Sequence, residues 1–179
     1  MIHYHYTDAE INKILKTLTI ICDTRENVNG HILAYLRQKD VPIKIQKLNV
    51  GDYSALIPKN DELGIKRDIY LDSAVERKAH IDEITGNLQK DTQTAFENEL
   101  IRSKDIPFTL IVEDLRGYEK MLKGDYRSKY NPLALLGRLN TFKAKYNFEI
   151  VYLDQRFSGN WIYHHFYYQA KHYLKTGIF

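Results

Sequence analysis

Two uninterrupted apolar runs limit most strongly what this chain can fold into. They lie at residues 18–22 (Leu-Thr-Ile-Ile-Cys) and 108–112 (Phe-Thr-Leu-Ile-Val). A strand with one face in water alternates apolar and polar residues, whereas such continuous runs are typical of strands buried on both faces. A sheet buried on both faces needs helices beside it. The sequence therefore predicts an α/β fold with a mixed central β-sheet flanked by α-helices.

The remaining segments predict the other elements of this fold. Further strands are expected at 43–48, 53–57, 69–75 and 148–153, and the polar turn at 60–64 makes a β-meander plausible between 43 and 75. Thr7-Asp8-Ala9-Glu10 is typical of a capping box that opens a helix ending near Lys16. Other helices are predicted from apolar spacing and caps at 32–36, 81–88, 92–102, 118–122, 133–145 (behind Pro132) and 161–175.

Composition places the chain among ordinary globular proteins. Hydrophobic residues are 44% and charged residues 27% of the 179, and no repeat or linker interrupts them. We expect a single domain over 1–179, with a core at about 18–153, an N-terminal helix and an aromatic-rich C-terminal helix. The single Cys22 cannot form an intrachain disulfide, and no signal peptide or membrane span is expected, so a cytoplasmic location is predicted. The net charge of +3 permits an anionic partner.

The chemistry-bearing residues are Gly51-Asp52 and, after a predicted hairpin, Glu76-Arg77-Lys78. Side chains alternate along a strand, so Glu76 and Lys78 should share one face while Arg77 points the other way. If Asp52 stands on the same face of a neighbouring strand, two carboxylates and one ammonium group converge. Taken alone, Glu-Arg-Lys is more often a solvated turn with weak salt bridges.

Two close carboxylates repel each other unless a cation neutralises them. Mg²⁺ accepts one or two protein carboxylates together with water and phosphate oxygens, and it can activate water for attack on a phosphodiester. Lys78 could orient that water or offset developing negative charge. Asp82 lies where a chain turning into a helix could bring it back to the site, and Asp23 ends a buried strand.

These residues resemble the signature of the XPF-type (ERCC4-domain) structure-specific endonucleases. The signature has Gly-Asp, a variable stretch, Glu-Arg-Lys, three residues and Asp, as at 51–52, 76–78 and Asp82. Asp23-Thr24-Arg25-Glu26 is similar to the family's first motif. The resemblance implies a restriction-endonuclease-like core that binds Mg²⁺, with Mn²⁺ as a substitute. It also implies cleavage of DNA near Holliday junctions, flaps or splayed arms during recombination or repair.

By the same resemblance, Asp52 and Glu76 would be metal ligands, and Asp23 a third acidic ligand, direct or through water. Lys78 would be the catalytic lysine, and Arg77 and Asp82 would complete the catalytic set. Either Glu97 or Glu99, on the following helix, is expected to face the site. Glu26 is as well explained by capping or by pairing with Arg25.

Many family members carry a C-terminal helix-hairpin-helix pair, and we expect none in residues 154–179, which contain no Gly-rich hairpin. Stand-alone nuclease domains of this kind resemble versions from phages or mobile elements. The residues Trp161, Ile162, Phe166, Ala170 and Tyr173 predict an apolar helix face, used either in the core or between subunits. We expect a homodimer through this helix, and a single-strand-binding or recombination protein as a possible further partner. His164, His165 and His172 are expected to pack with aromatic rings and not to bind metal.

A basic stretch with interleaved tyrosines is a candidate DNA contact. It contains Lys120, Lys123, Arg127, Lys129 and Arg138, together with Tyr118, Tyr126 and Tyr130. Arg25, Lys123, Arg127 and Lys129 are predicted to contact the phosphate backbone, although a solvated loop would look the same. Two alternatives to a branched-DNA nuclease stay open: a catalytically silent DNA-binding scaffold, and a nuclease without junction selectivity.

Overall fold

The strands expected to be buried on both faces occupy those positions in the computed structural model, which describes residues 6–89 and 93–177. Strand β1 (Thr19–Cys22) is buried from Ile20 onwards, and all five residues of β6 (Phe108–Val112) are buried. Within these ranges seven strands form a mixed sheet. The other strands are β2 (Ile43–Ile45), β3 (Tyr53–Ile57), β4 (Ile69–Tyr70), β5 (Ala74–Lys78) and β7 (Glu149–Tyr152).

Helices account for most of the remaining chain. They are α1 (Asp8–Leu15), α2 (Gly30–Gln38), α3 (Ile81–Asn87), α4 (Gln93–Ser103), α5 (Gly117–Lys123), α6 (Pro132–Tyr146) and α7 (Ser158–Thr176). Short 3₁₀ helices lie at Asp61–Leu63 and Gln155–Phe157. Thr7 and Glu10 form the predicted capping box of α1, and Pro132 opens α6 behind the Asn131 cap. No helix in the described part of the chain is long and apolar enough to cross a membrane.

The chain divides into two compact units, although a single domain over 1–179 is what the sequence predicts. The first unit comprises 1–48, 53–73 and 159–179, and the second comprises 49–52 and 74–158. In the first, β1 pairs with β2 in parallel and with β3 antiparallel, and β4 pairs antiparallel with β3. Helix α7 buries one face of that unit, formed by Ile162, Phe166, Ala170 and Leu174. The single-domain interpretation stays a prediction.

The second unit contains the Gly-Asp and Glu-Arg-Lys segments. Its strands β5, β6 and β7 are parallel, with Lys78 opposite Val112 and Val112 opposite Tyr152. Helices α3, α4, α5 and α6 contribute apolar side chains to its core, among them Ile84, Leu100, Met121 and Leu139. Parallel strands buried on both faces hold their carboxyl ends at one edge, so Lys78 stands at this edge.

Two details differ from the sequence prediction. The expected strand 69–75 is interrupted, because β4 ends at Tyr70 and β5 begins at Ala74. At this break the Ser54 hydroxyl donates to the carbonyl of Ser73 at 2.8 Å. The meander is also incomplete: β3 and β4 form an antiparallel pair, but β2 pairs with β1 in parallel.

Candidate active site

Strand β5 places Glu76 and Lys78 on one face. The Lys78 ammonium (Nζ) donates to Oε1 of Glu76 at 2.5 Å, and both side chains are largely buried. Arg77 points the other way, where its Nη2 lies 2.9 Å from Oε2 of Glu113 in a buried ion pair. The alternation predicted from the sequence is therefore present.

Asp52 is fastened to the same strand by two hydrogen bonds. Its backbone N–H donates to the Val75 carbonyl at 2.9 Å. Its Oδ2 accepts from the backbone N–H of Arg77, also at 2.9 Å. This approach depends on Gly51, which has a φ of +70° and would place a Cβ only 2.9 Å from the Val75 oxygen. Glycine is required here because only a residue without Cβ fits both the backbone conformation and the space.

The choice between Glu97 and Glu99 is visible in the geometry of α4. Oε1 of Glu99 accepts from the Gly51 backbone N–H at 3.4 Å, and the Glu99 charge acts on both Glu76 and Lys78. Glu97 faces elsewhere and accepts from Lys145 at 2.9 Å and from the Tyr146 hydroxyl at 2.5 Å. Glu99 is thus the helix carboxylate beside the cluster.

The electrostatics of the cluster are set by burial and by surplus negative charge. Burial raises the pKa of Glu76 well above its usual range, Asp52 and Glu99 raise it further, and Lys78 opposes them. Burial lowers the pKa of Lys78, but the adjacent Glu76 outweighs burial and raises it. Three carboxylates therefore surround one ammonium group, an arrangement that favours an added cation.

The donor set fits a hard divalent ion. Carboxylate oxygens from Asp52, Glu76 and Glu99 are the ligands that Mg²⁺ prefers, and Mg²⁺ commonly takes only one or two protein carboxylates, keeping water in its other positions. Among the described residues, no three acidic or histidine side chains already stand in a ready-made metal cage. Asp52, Glu76 and Glu99 are the residues that could supply one or two ligands to a partly hydrated ion.

Asp82, the last residue of the motif, contacts a different segment. Its Oδ1 accepts from the backbone N–H of Arg127 at 2.7 Å, and its Oδ2 lies 3.7 Å from Arg127 Nε and from His80 Nδ1. Asp82 thus lies with the loop after α5, and its catalytic role stays a prediction. Arg77, likewise predicted to be catalytic, lies with Glu113.

Asp23 and Arg25 form an ion pair with each other. The Asp23 carboxylate accepts from Arg25 Nε at 2.7 Å and from the Leu48 backbone N–H at 2.6 Å. Although burial raises the pKa of Asp23, these bonds outweigh it and lower the pKa to about 2. The carboxylate is therefore ionised at neutral pH. Its assignment as a metal ligand, and that of Arg25 as a phosphate contact, stay predictions.

The basic stretch is only partly available for an anion. Lys120 lies 2.8 Å from Asp114, and Lys123 lies 2.5 Å from Glu119 one helical turn away. The Arg127 side chain is 89% exposed. The DNA contacts predicted for Lys123, Arg127 and Lys129 are not tested by these positions.

The histidines of α7 contact aromatic rings, as expected. His165 stacks on Trp161 with ring centroids 4.7 Å apart, and His164 and His172 lie against Tyr163 and Tyr173. The predicted apolar face of α7 is divided. Ile162, Phe166 and Ala170 are fully buried, whereas Trp161 and Tyr173 line a shallow groove of about 610 Å³.

Sequence reasoning missed Glu113, the buried partner of Arg77. The signal was present, since Glu113 directly follows a doubly buried strand parallel to β5. An arginine pointing to the other face of β5 needs an acid there, because a buried unpaired charge is costly.

Comparison with known proteins identifies the family and the fold. The family profile of the ERCC4 domain matches residues 22–165. Among solved structures, XPF from Aeropyrum pernix superposes with a TM-score of 0.59 at 16% identity, over 84% of this chain and 61% of that one. The same protein in complex with DNA gives a TM-score of 0.54 at 16% identity, over 89% and 65%. The chain thus spans less than two thirds of either, and no curated protein matches it. The mixed seven-stranded sheet with its helices is a restriction-endonuclease-like fold.

Proposed function

The chain belongs to the ERCC4-domain nuclease family, and we propose that it is a divalent-metal-dependent endonuclease that hydrolyses phosphodiesters in branched DNA. The observation that carries the proposal is the cluster of Asp52, Glu76 and Lys78 at the end of β5, with Glu99 beside it. Its substrates are Holliday junctions, flaps or splayed arms met in recombination or repair.

Asp52 and Glu76 would hold the metal, Mg²⁺ or Mn²⁺, with Glu99 as a further carboxylate at its edge. A bound divalent ion supplies Lewis acidity toward the phosphate and lowers the pKa of a coordinated water. Lys78 orients the attacking water and faces the negative charge that grows on the phosphate. Its raised pKa keeps it protonated at neutral pH, as an electrostatic role requires.

The position of Lys78 supports its role beside the metal ligands. Its ammonium group (Nζ) lies 2.5 Å from Oε1 of Glu76 and offsets part of the repulsion between the Glu76 and Asp52 carboxylates. A divalent ion held by Asp52 and Glu76 would supply further positive charge at the same carboxylates.

The partner prediction is a homodimer through α7, whose outward groove is lined by Trp161, His165, Tyr168 and Tyr173. A single-strand-binding or recombination protein is a second proposed partner. The solved relative bound to DNA supports a nucleic-acid ligand for this fold. Light scattering that shows a monomer at micromolar concentration would contradict the homodimer prediction.

The test is a cleavage panel on linear duplex, flap, splayed-arm and four-way DNA, with Mg²⁺, Mn²⁺ or chelator. We expect cleavage of the branched substrates with either metal, none with chelator, and loss of cleavage in E76Q and K78M. E97Q is a matched control because Glu97 lies on the same helix as Glu99 but contacts Lys145 and Tyr146.

The panel also separates the two alternatives. Tight binding without cleavage on every substrate would indicate a silent scaffold. Equal cleavage of linear and branched DNA would indicate a nuclease without junction selectivity. Undiminished cleavage by E76Q would overturn the proposed site.

A further inference from the structure

The loop between α5 and α6 is fixed at both of its ends. Gly124 closes α5 in the left-handed conformation, and the Asn131 side chain accepts from the Ala134 backbone N–H to open α6. The Tyr126 hydroxyl donates to the Tyr130 carbonyl at 2.7 Å and closes the loop on itself. Both tyrosines pack against the core of the second unit.

The middle of this loop is held by Asp82. Its Oδ1 accepts from the Arg127 backbone N–H at 2.7 Å, across 45 positions of sequence. A bond of this length restrains the backbone at Arg127 through an acceptor oxygen of residue 82. The guanidinium of Arg127 stays 89% exposed, with Nε 3.7 Å from Oδ2 of the same carboxylate. Asp82 therefore fixes where the loop carries Arg127 while leaving most of its side chain to solvent.

We propose that Asp82 is a positioning residue that presents Arg127 to the backbone phosphates of the DNA, and that it takes no part in the chemical step. This inference rests on the proposed function, because it assigns part of DNA recognition to the last residue of the motif. The motif thereby couples the cleavage cluster on β5 to a cationic loop through Asp82, four residues after Lys78.

The competing role for Asp82 is that of a metal ligand or catalytic carboxylate, and the two roles respond differently to asparagine. D82N keeps the Oδ1 acceptor for the Arg127 N–H but loses the charge. D82A loses both. If Asp82 is a positioning residue, D82N keeps its function and D82A loses it. If Asp82 is a catalytic carboxylate, both variants lose activity.

The experiment measures the affinity for four-way DNA in chelator at several salt concentrations, and kcat and KM with Mg²⁺. The proteins are the wild type, D82N, D82A, R127A and D82A/R127A, with D82N as the matched control for D82A. Hydrogen exchange of residues 124–131 reports the loop directly. We expect R127A and D82A each to reduce the salt slope by about 1 and raise KM with kcat retained. The double variant should match R127A, D82N should resemble the wild type, and exchange should accelerate in D82A but not in D82N.

Loss of kcat in both D82N and D82A, with unchanged affinity and slow exchange, would overturn the proposal. Additive losses in D82A/R127A would overturn it too, because the two residues would then act separately. If D82A does not fold, D82N and R127A still decide: an inactive D82N with intact binding contradicts positioning. If the wild type binds branched DNA without cutting it, the proposed nuclease function is wrong. The measurements of DNA affinity and hydrogen exchange then still test the role of Asp82. A wild type that binds no DNA removes both.

Discussion

Replacing Gly51 with alanine tests whether the Gly-Asp segment is a steric device. Gly51 has a φ of +70°, and a Cβ there would meet the Val75 oxygen at 2.9 Å and the Ala74 Cβ at 3.2 Å. Gly64 has nearly the same φ, +75°, but nothing lies within 4 Å of its added Cβ. G64A therefore isolates the backbone strain, and G51A adds the collision.

The two contributions can be sized separately. A non-glycine residue in the left-handed region costs about 1–2 kcal/mol, and the loss of unfolded-state freedom returns about 0.4–1 kcal/mol, so G64A should lose about 1 kcal/mol. Overpacking against backbone adds about 1–3 kcal/mol, so G51A should lose about 2–4 kcal/mol. For a chain of this size each kcal/mol lowers Tm by about 2–4 °C.

The cleavage rate should respond more strongly than the stability. Relief of the collision moves residue 51 away from β5 and stretches both bonds that hold Asp52, to Val75 and to Arg77. A displacement of about 1 Å in a catalytic group costs on the order of 100-fold in rate. G51A should lose about that much, and G64A should keep nearly all of its activity.

Urea titration, thermal melting and the branched-DNA cleavage assay measure these effects on the same preparations. If G51A melts together with G64A and cleaves at the wild-type rate, the close approach of Gly51 to β5 does not set the position of Asp52. The steric argument would then be wrong even if both variants were mildly destabilised.

Three further predictions concern the ion pair, the helix carboxylates and α7. R77M should lower the free energy of unfolding by about 3–5 kcal/mol in urea titration, because it removes the arginine that pairs with the buried Glu113. The double variant R77M/E113L should lose less than R77M, and an equal or larger loss would contradict this explanation. E99Q should slow cleavage while E97Q should not, and equal rates for the two would exclude Glu99 from the site. Burial lowers the pKa of His165 to about 4 from about 6.5, so the neutral ring stabilises the fold above pH 6.5, and that stability is lost as pH falls toward 4. The loss is at most about 3 kcal/mol, and H165F should flatten this part of the pH–stability curve; an unchanged curve would contradict it.

The sequence was most informative where a strict period applies. Alternation along β5 was enough to place Glu76 and Lys78 together and Arg77 opposite them, and the two apolar runs were enough to predict β1 and β6. The period of a helix separates Glu97 from Glu99, but the packing of α4 decides which of them approaches Gly51. That packing is not written in any local pattern.

The remaining differences involve contacts between residues that are distant in sequence. The bond from Arg127 to Asp82 joins residues 45 positions apart, so no spacing rule could find it. At the break between β4 and β5, the Ser73 carbonyl accepts from the Ser54 hydroxyl, 19 positions earlier in the chain. Glu113 could have been predicted as the partner of Arg77, because a buried arginine needs an acidic side chain near it and Glu113 follows the neighbouring buried strand.

The two hydrogen bonds that hold Asp52 to β5 have a consequence for the evolution of this sequence. The two bonds join Asp52 to residues 75 and 77 of β5. The backbone of β5 therefore sets the distance between the Asp52 carboxylate and Lys78. Neither of these two bonds involves residues 53–73. We expect insertions in the polar turn near residues 60–64 to lengthen the chain without altering the two hydrogen bonds of Asp52.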